Sequence, residues 1–364
     1  MKKIFIHVGP PKTGTSAIQN WAQSNRDFLR LIGVFYPSHS LDRNGVSSGN
    51  VYSLFDRNDG ELLFSQIKWQ KLYRNFESSN AGILLLSSEF FFLNIDKLHE
   101  HIPDASFIVY VRSPLDFRES SYNQAVKRHS ETKIFPHNQG VSKGTISKIV
   151  EGLDKIGQKK FRVRMYHSDI FEGGNIVSDL LLSMGVAYDS PIKLTKSVNN
   201  SYQFEALEFK RWINQFSLNS LEFRLDQVIQ AFDSGTAVYS LIPPDVFIRM
   251  KNQCLVILAD FNKNHHVPKS GDLLSKTRST QQKPYRKQEL NDAEFLSVVN
   301  FIRSKDEGLL MNLFEEISSK STAVQRQDKF YKLLQKSYRK KIDLKYLISK
   351  TFLKVKAKLK RKNI

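Results

Sequence analysis

Apolar residues gather in four short runs along the chain, at residues 3–8, 82–87, 106–111 and 161–166, each bounded by polar or glycine-containing segments. Runs of this length read as strands buried in a sheet. Apolar positions recur at helical spacing over 15–31, 114–129, 175–184 and 204–216, and further helices are expected from Asp292 onward. Strands and helices therefore alternate, which predicts an α/β fold of three layers: a central, mostly parallel sheet with helices on both faces. The segment Gly33-Val-Phe-Tyr-Pro37 reads as a short strand ending in a turn, and the polar, basic stretch 268–287 as a surface loop. The expected organisation is a body over residues 1–318, whose later part (about 195–318) is helical, and a tail over 319–364.

The first strand runs into Gly9-Pro-Pro-Lys-Thr-Gly-Thr-Ser16, with a helix opening near Thr15. A turn of this kind aims several backbone N–H groups and a positive helix end at one point, which suits an anion. It is not the ATP-binding loop, in which lysine directly follows the second glycine. Here Thr15 takes that place and Lys12 lies two residues before Gly14. An anion other than the ATP triphosphate is expected. The third run leads into Arg112-Ser-Pro-Leu-Asp-Phe-Arg-Glu-Ser-Ser-Tyr-Asn-Gln124. Arg112 then leaves the C-terminal end of a strand, Pro114 suits a first helical turn, and Ser120 lies about two turns further along. Arginine's planar fork can hold two phosphate oxygens and stays charged.

Together these two motifs resemble the 5′-phosphosulfate loop and the 3′-phosphate site of sulfotransferases that use 3′-phosphoadenosine 5′-phosphosulfate (PAPS). The resemblance covers roughly residues 1–200, with the donor motifs inside 1–130, and later residues only loosely. It implies a P-loop-like phosphosulfate-binding loop in which Lys12, Thr13, Gly14, Thr15 and Ser16, with Arg112 and Ser120, bind PAPS as co-substrate without a metal. Tyr122 and Gln124 stand where carbohydrate sulfotransferases often carry Tyr and Gln, and the helical part about 195–318 would serve the acceptor or a lid. Members of the family often close a basic loop over the donor, a role open to Lys276 and Arg278.

Sulfuryl transfer resembles phosphoryl transfer, so positioning and charge stabilisation dominate. Lys12 is expected to stabilise the bridging oxygen as the nucleotide leaves, helped by N–H groups and hydroxyls of Thr13 to Ser16. The acceptor hydroxyl needs a base, and Glu89, just past the second apolar run and flanked by three phenylalanines, is the candidate. In heparan-type members a glutamate in this region is the catalytic base. The rival for this residue is a structural glutamate at a helix start capped by Ser87 or Ser88. His39 and His101 are the other bases on offer. His39, Gln124 and Lys127, with Arg43 and Arg128, could line an acceptor cleft. His7 reads as a buried strand histidine, and His265-His266 lacks the partners of a metal site. The 197–202 stretch resembles a recurring Asn-x-Ser segment of bacterial members, with no role assigned.

Charge and composition add one thing. From Lys320 onward, sixteen lysines and arginines face only Asp328 and Asp343, a net +14 of the chain's +19. The body is nearly balanced, so specific nucleic-acid binding is not implied. Leu344, Leu347, Ile348, Phe352, Val355 and Leu359 recur at helical spacing in the tail, with lysines largely off that stripe. A basic amphipathic helix over 340–362 suits an anionic membrane surface, and packing on the body is the alternative. The single Cys254 rules out an intramolecular disulfide, and no signal peptide or membrane-length apolar run is read. The expectation is a cytoplasmic enzyme of bacterial type, peripheral at the inner membrane face if the tail docks there. The acceptor is expected to be a carbohydrate or glycolipid, its identity set by loops such as 39–58 and 133–145. Two other readings stay open. One is a P-loop kinase or NTPase, with Glu89 as a Walker-B-like acid. The other is a non-enzymatic membrane or polyanion binder acting through the tail.

Overall fold

The computed structural model describes residues 2–40, 47–188, 192 and 201–339. Arg43, residues 197–200 and the tail from 340 lie outside the described residues. The strands are β1 (Lys3–Val8), β2 (Val34–Phe35), β3 (Phe55–Asn58), β4 (Glu61–Phe64), β5 (Ile83–Ser88), β6 (Ser106–Val111) and β7 (Phe161–Met165). The helices are α1 (Thr15–Ser24), α2 (Arg26–Leu31), α3 (Gln66–Glu77), α4 (Ile95–His101), α5 (Pro114–Arg128), α6 (Gly144–Ile156) and α7 (Ile176–Ser183). They continue as α8 (Phe204–Ile213), α9 (Leu221–Gln230), α10 (Pro244–His265), α11 (Ser270–Ser279), α12 (Asp292–Lys305) and α13 (Glu307–Lys320).

Contacts divide the chain into two compact units. The first holds Met1–Ser121, His137–Asn199 and Pro243–Gln282; the second holds Tyr122–Pro136, Asn200–Ile242 and Lys283–Ile364. Helix α5 therefore gives its first half to one unit and its second half to the other.

In the first unit five strands pair in parallel in the order β2-β5-β1-β6-β7, and β3 and β4 form a separate antiparallel hairpin. Successive side chains alternate between two cores. Phe5, Leu85, Ile108 and Tyr110 pack with Ile18, Trp21 and Leu180 on one face. Ile4, Ile6, Leu84, Leu86, Phe107 and Val109 pack with Leu98, Ile149 and Leu258 on the other. Both faces are covered, which is why the strands read as apolar runs rather than alternating ones. Each such buried side chain contributes about 1.5–3 kcal/mol of transfer free energy. The fold is thus the three-layer α/β arrangement that the pattern predicts. Helix α1, after β1, packs on the face of Phe5, whereas α3, α4 and α6, after β2, β5 and β6, pack on the other. The loop leaving β1 therefore diverges from those of its neighbours β5 and β6, the switch point where open α/β sheets bind ligands.

Several elements differ from the sequence reading. The helix expected over 15–31 is two helices, broken at Asn25, whose backbone N–H and side-chain Nδ2 both bond to Trp21 O. The stretch 268–287, expected as a loop, contains α11. Leu273 and Thr277 are buried there, and Leu273 shares a core with Leu258 and Phe261 of α10. Tertiary burial of a short apolar face outweighs the polar composition.

The second unit is helical. Trp212 and Phe295 meet edge to face at 5.1 Å, and Phe330 stacks on Phe295 at 4.4 Å. Residues 320–339, the first part of the expected tail, belong to this unit. Tyr331 and Leu334 are buried, and Asp328 accepts a hydrogen bond from Trp212 Nε1. Among the described residues no helix is long and apolar enough to cross a membrane.

Candidate active site

Three of the residues singled out in the sequence leave the C-terminal ends of adjacent strands. Lys12 lies in the loop after β1, Glu89 directly follows β5, and Arg112 directly follows β6. Sheet order β5-β1-β6 makes these ends neighbours.

The loop after β1 is tightly specified. Thr13 N–H and its hydroxyl both donate to Pro10 O, at 3.3 and 2.6 Å, so this hydroxyl is engaged in holding the turn. Gly14 caps α1 in the left-handed region (φ 76°); a Cβ there would lie 2.5 Å from Ile176 Cδ1 and 2.9 Å from Tyr166 Cε2. A Cβ at Gly9 would run into the Thr15 side chain. Lys12 itself is left-handed (φ 65°), a region that L side chains enter at a cost. Ala17 N–H turns back to Gly14 O at 3.0 Å, and the amides ahead of it, at Thr15 and Ser16, stand at the helix start where no carbonyl one turn back is available.

Arg112 ties the two motifs together. Its Nη1 donates to Lys12 O at 2.6 Å, and its guanidinium lies over the Tyr166 ring at 5.1 Å. Arg112 Nε, Thr15 Oγ1 and Ser113 Oγ are buried polar atoms without a hydrogen-bond partner. Three donors orphaned on one loop and the strand end beside it, with glycines that let the backbone come close, fit an anionic ligand. Ser120, on α5, is half-buried. Among the described residues no group of His, Cys, Asp or Glu is arranged to hold a metal ion.

Glu89 is solvent-exposed by surface, yet the protein packed around its carboxyl raises its pKa, an effect that the charge of Lys12 opposes. The turn that carries it is held by Ser88, whose Oγ donates to Ser48 O and accepts from Phe90 N–H. Ser88 thus holds a turn and caps no helix: the short helix Phe92–Asn94 and α4 both begin without a side-chain cap. Beneath them His7 is fully buried. Its Nδ1 meets Ser87 Oγ at 2.8 Å, Nε2 has no partner, and burial lowers its pKa to about 3.

The residues expected at the acceptor have separate surroundings. His39 has both ring nitrogens engaged, Nε2 with Tyr36 Oη at 3.0 Å and Nδ1 with Ser47 Oγ at 2.6 Å, and burial lowers its pKa. Gln124 is exposed on the second half of α5. Lys127 lies in the second unit, bonded to Gln230 Oε1 and 4.9 Å over the Tyr202 ring, and burial lowers its pKa against the pull of Asp226. Arg128 pairs with Asp226 at 3.2 Å. Lys276 sits on α11 and pairs with Asp169 at 2.6 Å.

Sequence reasoning passed over Tyr166 and Asp179. Tyr166 follows β7 as Arg112 follows β6, so its position at a strand end was the available signal. Asp179, 2% exposed, accepts from Tyr110 Oη, from Arg164 Nε and Nη2, and from Glu172 N–H. Nothing local in an acidic residue on an apolar helix announces such a hub.

The chain matches no protein-family model and no curated protein. Among solved structures, a sulfotransferase from Alicyclobacillus acidocaldarius is similar over 76% of this chain and 99% of its own, at 14% identity and a TM-score of 0.42.

Proposed function

We propose that the chain is a sulfotransferase that moves the sulfuryl group of PAPS to a hydroxyl of a carbohydrate or glycolipid. The observation that carries this reading is the direct bond from Arg112 to Lys12 O, at the sheet's switch point and with Glu89 on the neighbouring strand end. A cation pair joined in this way suits a ligand with anionic groups at two places. The acceptor oxygen attacks sulfur in line while Glu89 takes its proton. The bond from sulfur to the bridging oxygen breaks, and Lys12 stabilises the charge that collects there as adenosine 3′,5′-bisphosphate leaves. Arg112 and Ser120 would hold the 3′-phosphate. Among the described residues expected at the acceptor, Gln124 is exposed.

Calorimetric titration with adenosine 3′,5′-bisphosphate, with ATP·Mg²⁺ as comparator, tests the reading. Low-micromolar binding of the bisphosphate that is lost in Lys12→Ala supports it. Binding of ATP·Mg²⁺ alone would replace it with a kinase or NTPase.

A further inference from the structure

We infer that Arg112 is a positioning residue for the anion loop as well as a ligand to the donor, clamping Lys12 with one edge of its guanidinium and offering the other. This rests on the sulfotransferase reading for the identity of the ligand. Nη1 is committed to Lys12 O, 100 residues away in sequence. That leaves the edge formed by Nε and Nη2, the geometry that takes two phosphate oxygens, and Nε on that edge is buried and unpartnered. The clamp acts where the backbone needs it. Lys12 is held at φ 65°, and because its carbonyl shares a planar peptide with Thr13 N–H, the bond from Arg112 fixes the peptide on which the turn to Pro10 O is built.

The guanidinium is itself fixed from behind. Tyr166 lies under it, its N–H bonded to Val111 O at 2.8 Å, and its ring meets Phe171 edge to face at 5.5 Å. A phosphate on the Nε/Nη2 edge would therefore order Arg112, and Arg112 would order Lys12. The two ends of the donor site are then coupled, and the 3′-phosphate prepares the loop that handles the 5′-group.

Adenosine 5′-monophosphate separates the two roles, because it has no 3′-phosphate for Arg112 to bind. Titrate the full chain and its Arg112→Gln and Arg112→Lys variants with this nucleotide and with the 3′,5′-bisphosphate. The expected result is that the monophosphate binds about tenfold more weakly to both variants, the size of one lost charge-assisted hydrogen bond. Unchanged monophosphate affinity beside weakened bisphosphate affinity would overturn the clamp. So would full recovery in Arg112→Lys, which keeps the charge without the fork. Hydrogen exchange at amides 12–16 reads the clamp without any ligand. Faster exchange in Arg112→Gln supports it and unchanged exchange overturns it. If the wild type binds neither nucleotide, the sulfotransferase reading falls, and exchange alone decides the clamp.

Discussion

Glu89 stands under two opposed influences, surrounding protein that raises its pKa and the Lys12 charge that lowers it. Because burial is the larger, its carboxyl should titrate above the ordinary glutamate value of about 4.3. Removing the opposing charge in Lys12→Gln should raise it further. The sign for catalysis follows: a base works only when deprotonated, so the acid limb of the rate profile lies above that of a free glutamate. Carboxyl-carbon NMR on both proteins decides the matter, and a value at or below the ordinary one would remove Glu89 as a tuned base. His7 makes the opposite kind of prediction. Its pKa falls to about 3 in the folded chain against about 6.5 unfolded, so between those values the unfolded state holds the extra proton. Stability should therefore drop by about 1.4 kcal/mol per pH unit on acidification through that window. Urea midpoints of wild type and His7→Leu against pH isolate this slope, since the other titrating groups are common to both. Parallel curves would show that His7 is not buried neutral.

Between strands and helices, the Asp179 hub decides how the segment after β7 is held. Tyr110 from β6, Arg164 from β7 and the Glu172 amide all converge on one buried carboxylate. Asp179→Ala would leave Arg164 a half-satisfied cation in a low-dielectric place, so we expect a loss of about 3–5 kcal/mol. Denaturant unfolding measures it, and a loss under about 1 kcal/mol would mean that water replaces the carboxylate easily. This hub also shows what a sequence can and cannot tell. The bounds of β1 and β6, the tight glycine turn after β1 and the placing of Lys12 and Arg112 at strand ends were readable, because strand burial on two faces and glycine turns leave local patterns. The break at Asn25, the β3–β4 hairpin and α11 were not, because each depends on what packs against it. The α10 helix was readable and passed over. Pro244 opens it, and Val246, Met250, Cys254, Leu258 and Phe261 mark one buried stripe. That Lys127 bonds Gln230, or that His39 has both nitrogens engaged, could come only from the folded chain.

For the molecule as a whole, the charge divides at a different place from the fold. Sixteen of the cations lie from Lys320 onward, but residues 320–339 belong to the second unit, where Tyr331 and Leu334 are buried. A truncation at 320 would therefore cut into a core and confuse unfolding with loss of a binding segment. Cutting after Arg339 avoids this. It removes ten lysines and arginines and Asp343, a net +9, and leaves the chain at +10. At roughly 1 kcal/mol per cation near an anionic surface, a segment with this charge is enough to hold a protein on phosphatidylserine vesicles at low salt. The attraction should weaken as salt shortens the Debye length to about 8 Å at physiological ionic strength. The expected outcome in sedimentation with such vesicles is salt-sensitive binding by the full chain and none by the chain ending at Arg339. Bisphosphate affinity should stay within about twofold in both, since Lys12 and Arg112 lie in the other unit. Equal sedimentation with neutral lipid, or binding kept by the shortened chain, would show that the basic segment is not a membrane anchor. A loss of nucleotide binding on the same cut would instead tie the segment to the donor site.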